Sequence, residues 1–227
     1  MRVDDAGAKL SSMLTVHHLG RSQSERIVWL CEELGLDYKL VRHTRDPVTI
    51  LSPPELKALH PMGSAPVIED GGVLLAESGA IVDYILAKYG RGRLVVGPDA
   101  PEFADYLYWL HFANGTLQPA MGRCMILKRL NLPDDNPVQT AMLGRLARAL
   151  GLVNARLTQG PWLAGGFTAA DIMTVFSLTT MRLFYPADLT PYPAVLTYLT
   201  RIGARPAYRR AMEKGDPGFA PLLGAKV

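Results

Sequence analysis

Residues 60–78 read HPMGSAPVIEDGGVLLAES, and this stretch decides the fold. Two short apolar runs, Ala65–Glu69 and Val73–Leu75, stand on either side of the turn sequence Asp70-Gly-Gly72. Short apolar runs around an Asp-Gly turn are typical of a β-hairpin. Pro66 opens the first run, where a strand tolerates a residue without an N–H group. The stretch therefore predicts an antiparallel hairpin that begins at a proline.

The segments on both sides extend this hairpin into a mixed α/β unit. Upstream, strand patterns at Met13–His18 and Tyr38–Val41 enclose an amphipathic helix at Ile27–Leu34, whose apolar residues recur three and four positions apart. A short helix follows near Ser52, and a helical pattern runs from Ser78 to Tyr89 after the hairpin. The predicted order is β-α-β-α-β-β-α. A strand–helix–strand opening favours a right-handed crossover and a parallel first pair.

The composition changes after residue 90. Residues 91–100 are rich in glycine and proline, which predicts a linker between a first domain at 13–90 and a second domain at 101–220. Strand patterns nearly vanish beyond this linker, and long helical patterns replace them. These lie at Pro101–Leu130, Asp134–Gln159, Ala169–Leu183, Pro191–Ile202 and Arg205–Lys214. Thr168 and Asp171 fit a capping box at the start of the third helix.

Composition argues against several classes of protein. The chain has 227 residues, 48% of them hydrophobic, and its net charge of +3 is too small to indicate nucleic-acid binding. Cys31 and Cys124 form neither a CxxC pair nor a metal-binding spacing, so neither a disulfide scaffold nor a metal site is predicted. No apolar run reaches the roughly 20 residues of a membrane span. Met1–Ser12 is polar and lacks the apolar core of a secretory signal, which predicts a short disordered extension on a cytoplasmic protein.

Three short motifs occur in the order of a known family. They are Ser22-Gln-Ser-Glu-Arg26 after the first strand, His60-Pro-Met-Gly-Ser-Ala-Pro66, and Glu77-Ser78 at a helix start. With the hairpin, the linker and the capping box, they make the chain resemble the cytosolic glutathione transferases of serine type (theta-like, or of a fungal or bacterial class) over nearly its whole length. The resemblance implies a thioredoxin-like N-terminal domain followed by an all-α helical-bundle C-terminal domain. It also implies a glutathione S-transferase with glutathione as co-substrate.

The resemblance gives a role to residues in each motif. Ser22 matches the catalytic serine that stabilises the glutathione thiolate. Pro66 matches a cis proline, beside which the N–H and C=O of Ala65 would bind glutathione like an added strand. Ser78, at a helix N-terminus, would bind the γ-glutamyl carboxylate, and Glu77 would help to bind the ammonium group. A plain N-cap is the structural alternative for Ser78.

Two features of this site stay open in the sequence. Ser24 is an alternative to Ser22 as the partner of the thiolate. Many relatives carry a lysine where this chain has Ser64, and a serine brings no charge to the glycine carboxylate of glutathione, so weaker glutathione binding is expected. The alternatives for binding that carboxylate are Lys57, His60 and His43.

The second substrate is expected to be a hydrophobic small-molecule electrophile or a peroxide. It would bind against the first long helix of the second domain, which is rich in aromatic residues. These candidates are Phe103, Tyr106, Tyr108, Trp109 and Phe112, followed by Gln118 and Met121. The alternative is that most of these side chains belong to the core. Family members usually form homodimers, and detoxification is the expected setting.

Two other functions are alternatives. A non-catalytic glutathione-binding or regulatory protein of the same fold would keep the architecture without turnover, but the intact Ser22, Pro66 and Ser78 argue against it. A thiol–disulfide oxidoreductase needs a reactive cysteine in the first turn. Cys31 lies on the apolar face of the helix and is expected to be buried in the core.

Overall fold

The computed structural model describes residues 13–227, and the prediction for Met1–Ser12 lies outside this part of the chain. Within it, the sheet has four strands in the order β2-β1-β3-β4. The strands are β1 (Leu14–Leu19), β2 (Tyr38–His43), β3 (Val67–Asp70) and β4 (Val73–Ala76). β1 and β2 are parallel, whereas the β1–β3 and β3–β4 pairs are antiparallel. The predicted hairpin and the predicted parallel pair are both confirmed.

Helices separate the strands and make up most of the described chain beyond the sheet. Their bounds are α1 (Glu25–Leu34), α2 (Pro54–Leu59), α3 (Ser78–Tyr89), α4 (Phe103–Phe112), α5 (Gln118–Leu130), α6 (Pro137–Gln159), α7 (Ala169–Leu178), α8 (Pro193–Ala204) and α9 (Pro206–Gly215). The order β-α-β-α-β-β-α up to α3 is the predicted one. The thioredoxin-like first part and the helical second part are therefore confirmed, while the exact domain boundaries stay a prediction.

The helix predicted at Pro101–Leu130 is not continuous. A turn of π-helix at Ala113–Leu117 separates α4 from α5, and the N–H of Gln118 bonds to the carbonyl of Ala113, five residues back. The next residue is Pro119, which has no N–H to offer a regular α-helical ladder. The backbone therefore widens by one residue at this point.

The helix predicted at Ala169–Leu183 is also shorter than expected. α7 ends at Leu178, and a 3₁₀ turn at Thr180–Leu183 follows. Between them, the Thr179 hydroxyl donates to the carbonyl of Val175 at 2.8 Å. Such a side-chain bond competes with the backbone ladder and favours a break.

The predicted capping box at α7 is confirmed. The Asp171 carboxylate accepts the backbone N–H of Thr168 at 2.9 Å, and the Thr168 hydroxyl accepts that of Ala170 at 3.3 Å. Asp171 also accepts the Tyr198 hydroxyl at 3.1 Å. Burial raises the pKa of Asp171 to about 6 despite these bonds. The box fixes the start of a buried helix in the second part of the chain.

Helix α1 joins the sheet to the helical part. Trp29 is almost completely buried, and its ring contacts those of Tyr208 and Phe167 at centroid distances of 4.9 and 5.7 Å. Near its C-terminal end, Glu33 receives two bonds of 2.7 and 2.8 Å from the guanidinium of Arg205. One hydrophobic core therefore continues from the sheet into the helices. No helix among residues 13–227 is both long and apolar enough to cross a membrane.

Candidate functional site

The strand register brings the predicted site residues to one end of the sheet. His17 near the end of β1 pairs with Val67 at the start of β3, and Val67 pairs with Ala76 at the end of β4. The turn after β1, the loop before β3 and the turn after β4 therefore meet. Ser22 lies in the first, Ala65-Pro66 in the second, and Glu77-Ser78 in the third.

The turn after β1 separates the roles of its two serines. Ser24 has no exposed surface, and its hydroxyl lies among the N–H and C=O of Leu19, the ring of His18 and the hydroxyl of Ser22. Ser22 keeps 7% of its surface exposed and accepts the backbone N–H of Ser24 at 3.2 Å. Only the Ser22 hydroxyl is therefore placed at the surface of this turn.

Arg26 links this turn to the start of α3. Its side chain is fully buried, and one terminal nitrogen donates to Asn114 at 2.9 Å and to the Ser78 and Gln23 side chains at 3.3 Å. The guanidinium also lies 5.0 Å from the centre of the Phe176 ring. Burial lowers the pKa of Arg26 to about 10, so it remains charged at neutral pH.

Ser78 is the first residue of α3 rather than its N-cap. Its hydroxyl is buried and accepts bonds from Arg26 and from the Asn114 amide, the latter at 3.2 Å. Glu77, at the N-cap position, makes no capping bond and has φ 73° and ψ 111°. A non-glycine residue in this region costs roughly 1–3 kcal/mol. The plain N-cap alternative for Ser78 is therefore wrong, and the exposed Glu77 is held in a strained conformation.

The Ala65–Pro66 peptide bond is cis, as predicted. Both residues precede β3, and Ala65 is buried at 6% exposure. The loop that leads to them contains Gly63 with φ 60°, a left-handed conformation that glycine adopts without strain. A Cβ built on Gly63 would lie 3.6 Å from Cγ of Lys57, so the lysine stem lies beside this loop.

Of the alternatives for the glycine carboxylate, the two histidines are engaged elsewhere. The His43 ring lies 3.0 Å from the His17 ring, nitrogen to nitrogen, and burial lowers its pKa. His60 accepts the backbone N–H of Met62 at 3.1 Å. Lys57 is exposed on the last turn of α2. It is the cation best placed beside the loop before Pro66.

A groove of about 630 Å³ lies next to the turn that carries Ser22. Its wall combines that turn, the loop after β2 and the segment after the 3₁₀ turn. The lining residues are Gly20, Arg21, His43, Thr44, Arg45, Asp46, Pro47, Ile50, Leu183, Phe184 and Asp216. The Arg45 guanidinium donates to the carbonyls of Gly20, Arg21 and Ile50 at 3.1–3.2 Å. It therefore fixes the loop after β2 against the turn that carries Ser22.

The aromatic residues of the first long helix belong largely to the core. Tyr106, Trp109 and Phe112 are about 95% buried, whereas Tyr108 is half exposed. Gln118 bonds to Gln23 in the turn at 3.0 Å and supports it. The apolar side chains of the groove come instead from Ile50, Leu183 and Phe184.

Sequence reasoning missed Asn114, Arg45 and His18. Asn114 carries no local signal, because the π-helical turn that directs it to Arg26 arises from the following Pro119. Arg45 stands in a loop, where periodicity says nothing. Adjacent strand residues point to opposite faces, so one of the two neighbouring histidines of β1 was expected to face inward; in the structure His17 and His18 are both buried, and His18 completely. Cys31 is buried as predicted, and burial raises its thiol pKa to about 12.

Known proteins share this arrangement. Residues 17–93 match the family described as glutathione S-transferase, N-terminal domain, and residues 136–201 match glutathione S-transferase, C-terminal domain. Glutathione S-transferase 3 of Schizosaccharomyces pombe is 30% identical, covering 93% of this chain and 91% of the relative. Glutathione S-transferase 1 of Saccharomyces cerevisiae is 29% identical, with 89% and 95% covered. A glutathione S-transferase structure from Actinobacillus pleuropneumoniae has a TM-score of 0.82 at 33% identity, with 92% and 97% covered.

The fold, the motifs and these similarities agree, and the chain belongs to the glutathione S-transferase family. Within that family it is an enzyme, a glutathione transferase, and its co-substrate is glutathione.

Glu25, the first residue of α1, is a buried acid beside the site. Its carboxyl accepts the Thr180 hydroxyl at 2.5 Å. Burial raises its pKa from 4.5 to about 8, and the nearby Asp216 adds to the effect. The group is therefore neutral in the folded protein at pH 7. It adds no negative charge to the N-terminus of α1, three residues after Ser22.

The raised pKa makes folding depend on pH. The folded state binds the Glu25 proton more tightly than the unfolded state does. The contribution of this proton to the free energy of unfolding is therefore complete below pH 4.5 and is lost as the pH rises to about 8. We expect Glu25→Gln to reduce the fall in unfolding free energy between pH 5 and pH 9, measured by urea titration. Glu213→Gln, at an exposed position, is the matched control. An unchanged pH slope in Glu25→Gln would contradict the assignment.

Proposed function

We propose that the Ser22 hydroxyl donates a hydrogen bond to the glutathione sulfur and so stabilises its thiolate, which then attacks an apolar electrophile or reduces a peroxide. The observation that carries this proposal is the meeting of Ser22, the Ala65–Pro66 loop and the start of α3 at one end of the sheet. A thiol reacts as its thiolate, so the enzyme has to favour ionisation. An O–H donor beside the sulfur does so.

The energies are of a suitable size. A thiol of pKa ~8.5 is only a few per cent ionised at pH 7, and lowering its pKa by about two units takes roughly 2.7 kcal/mol. One hydrogen bond to a charged group contributes about 1.5–3 kcal/mol. The N-terminus of α1 adds up to about 1 kcal/mol. The neutral Glu25 leaves this second contribution intact. Ser22 therefore needs no separate general base.

Glutathione would lie across the three loops. The N–H and C=O of Ala65 would pair with its backbone as a strand does. The free N–H groups of α3 and the Ser78 hydroxyl suit the γ-glutamyl carboxylate, with Arg26 behind them as a buried positive charge. The exposed Glu77 suits the γ-glutamyl ammonium. Lys57 supplies the charge that Ser64 lacks for the glycine carboxylate.

The electrophile would occupy the groove beside Ser22. Leu183 and Phe184 give this groove an apolar wall, and Ile50 faces them from the loop after β2. A hydrophobic small molecule bound there would approach the sulfur from the side of the helical part. This placement supports conjugation or peroxide reduction. It replaces the expected site on the aromatic face of α4.

The cellular setting is proposed from the family. A cytoplasmic homodimer that takes part in detoxification fits the relatives, and the two-domain division at residues 91–100 fits the matched ranges, which end at 93 and resume at 136.

The first test concerns Ser22. We expect Ser22→Ala to raise the pKa of bound glutathione most of the way to about 8.5, the ordinary thiol value, because the sulfur loses its O–H donor and keeps only the smaller contribution of the α1 N-terminus. The measurement is the ultraviolet thiolate band against pH, with protein in excess. Ser22→Thr keeps the hydroxyl and should keep the lowered pKa, and binding of S-methylglutathione reports an intact site. An unshifted band in the unmodified protein would instead favour a non-catalytic glutathione-binding protein.

The second test concerns Lys57. We expect Lys57→Ala to weaken glutathione binding about tenfold, the loss of roughly 1.4 kcal/mol from one charged contact. Isothermal titration should show no such loss for the glutathione ester blocked at the glycine carboxylate. Lys39→Ala, on the distant strand β2, serves as the control. Equal losses for glutathione and its ester would remove Lys57 from this role.

The third test concerns assembly. Sedimentation equilibrium at micromolar concentration is expected to give about twice the chain mass of 24.8 kDa. A single mass of one chain at all concentrations would exclude the homodimer.

A further inference from the structure

A row of buried polar groups runs inward from Ser22. The Ser22 oxygen lies 2.7 Å from the Ser24 oxygen, which lies 2.9 Å from Nδ1 of His18. On the other side of the ring, Nε2 of His18 lies 3.3 Å from a carboxylate oxygen of Asp216. Ser24 and His18 have no exposed surface, and the Asp216 side chain is 11% exposed. The C-terminal segment after α9 thus reaches the catalytic turn through a histidine.

The bonds around Ser24 allow two directions of donation. A hydroxyl has one proton and two acceptor positions. The N–H of Leu19 fills one acceptor position of Ser24, at 3.1 Å. If Nδ1 of His18 carries a proton, it fills the other, and Ser24 donates to the closest remaining oxygen, that of Ser22. If Nδ1 carries none, Ser24 donates to His18 and has to accept from Ser22.

These two directions have opposite effects at the sulfur. In the first, Ser22 accepts both the N–H and the O–H of Ser24, so its two acceptor positions are full and its own proton points to the ligand. In the second, the Ser22 hydroxyl donates its hydrogen bond to Ser24 and not to the ligand. A lone pair then faces the thiolate and repels it. The protonation of one nitrogen in His18 therefore decides whether Ser22 is a donor.

The proposed role of Ser22 requires a proton on Nδ1 of His18, and Asp216 lies on the other side of the ring. Nε2 is buried, lies within ion-pair distance of Asp216 and has no aligned hydrogen-bond partner. A lone pair on Nε2 would face the carboxylate, whereas a proton there gives an ion pair. Asp216 is held in place by the backbone N–H of Arg21 at 2.9 and 3.1 Å. A ring protonated on Nε2 alone would make Ser24 the donor to Nδ1, so a proton on Nδ1 is needed to leave the Ser22 proton free for the sulfur.

Other ionisable groups surround this pair. Arg45 and the neutral Glu25 lie on the Asp216 side, and His43 lies on the β2 side of His18.

The C-terminal segment lies very close to the turn after β1. A Cβ built on Gly215 would lie 3.2 Å from Nε2 of His18, and one built on Gly20 would lie 3.1 Å from Asp216. Glycine at both positions lets the C-terminal segment close on the turn.

We propose that His18, with a proton on Nδ1, is a positioning residue that acts through Ser24 to keep the Ser22 proton directed at the glutathione sulfur. The proposal rests on the proposed role of Ser22. It gives the two serines different tasks, with Ser22 as the donor and Ser24 as the group that sets its direction.

A direct test reads the proton itself. Long-range ¹H–¹⁵N spectra of histidine-labelled protein distinguish a protonated from an unprotonated ring nitrogen, and His18→Asn assigns the signal. We expect Nδ1 of His18 to carry a proton at pH 7, with and without glutathione. An unprotonated Nδ1 in the glutathione complex would overturn the proposal, and this result requires no variant to be active.

Variants test the consequence at the sulfur. We expect His18→Leu to raise the thiolate pKa of bound glutathione by about one unit. His18→Asn, whose amide can donate from nearly the position of Nδ1, should keep the lowered value. S-methylglutathione, which has no thiol, should bind both variants with unchanged affinity. His111→Leu, at an exposed histidine on α4, is the control.

A double variant separates this proposal from the proposed function. In Ser24→Ala the connection is absent, so adding His18→Leu should change the thiolate pKa no further. If Ser22→Ala raises that pKa but His18→Leu does not, the proposed action of His18 through Ser24 is wrong and the role of Ser22 stands. If Ser22→Ala has no effect, the role of Ser22 is wrong, whatever the spectra of His18 show. Equal effects of His18→Leu with and without Ser24 would indicate a route other than Ser24.

Discussion

The burial of Arg26 is the constraint on which the site depends. A charged guanidinium away from water needs polar partners, because an unpaired buried charge is strongly destabilising. Arg26 finds them in three segments that are distant in the chain, namely the turn at Gln23, the start of α3 at Ser78 and the π-helical turn at Asn114. Its Nε and second terminal nitrogen have no partner among the described residues. The positive charge therefore remains little compensated, directly behind the helix start where a carboxylate is proposed to bind.

The buried charges around α1 divide into those that are matched and those that are neutralised. Glu33 is paired with Arg205, and Glu32 receives bonds from Arg210 and Lys214. Glu25 is buried at the start of α1, where the Thr180 hydroxyl is its hydrogen-bond partner, and it holds its proton to about pH 8. The acids of α1 itself thus carry their negative charge at its far end rather than in its first turn. This distribution suits a site whose ligand carries two carboxylates and a thiolate.

The sequence predicted the parts of the fold that depend on local patterns. The hairpin around Asp70-Gly-Gly72, the crossover through α1 and the capping box at Thr168 each arise within a few neighbouring residues, and all are confirmed. The family resemblance assigned Ser22, Pro66 and Ser78 to one ligand site, and a mixed sheet of this order does leave the three loops that carry them together.

What the sequence could not predict depends on contacts between distant residues. Asn114 meets Arg26 across 88 positions, and Asp216 meets Arg21 across 195. Neither partner stands out by type or periodicity. For the aromatic helix the sequence left a substrate face and the core as alternatives, and the packing of the chain turns Trp109 and Phe112 into the core. Local patterns define elements, whereas the faces that meet are set by the packing of the whole chain.

The contact between Asp216 and the turn after β1 has a consequence for biosynthesis. The chain emerges from the ribosome N-terminus first, so Ser22 is made long before Asp216, which holds its turn from the far side and follows Arg21 by 195 positions. The sheet can form while the helices are still being translated, but the turn then lacks the backbone anchor at Arg21 and the carboxylate beside His18. A nascent chain without Asp216 would not have the geometry proposed to activate the thiol. The proposed activation would therefore wait until Asp216 has been translated and packed against the turn.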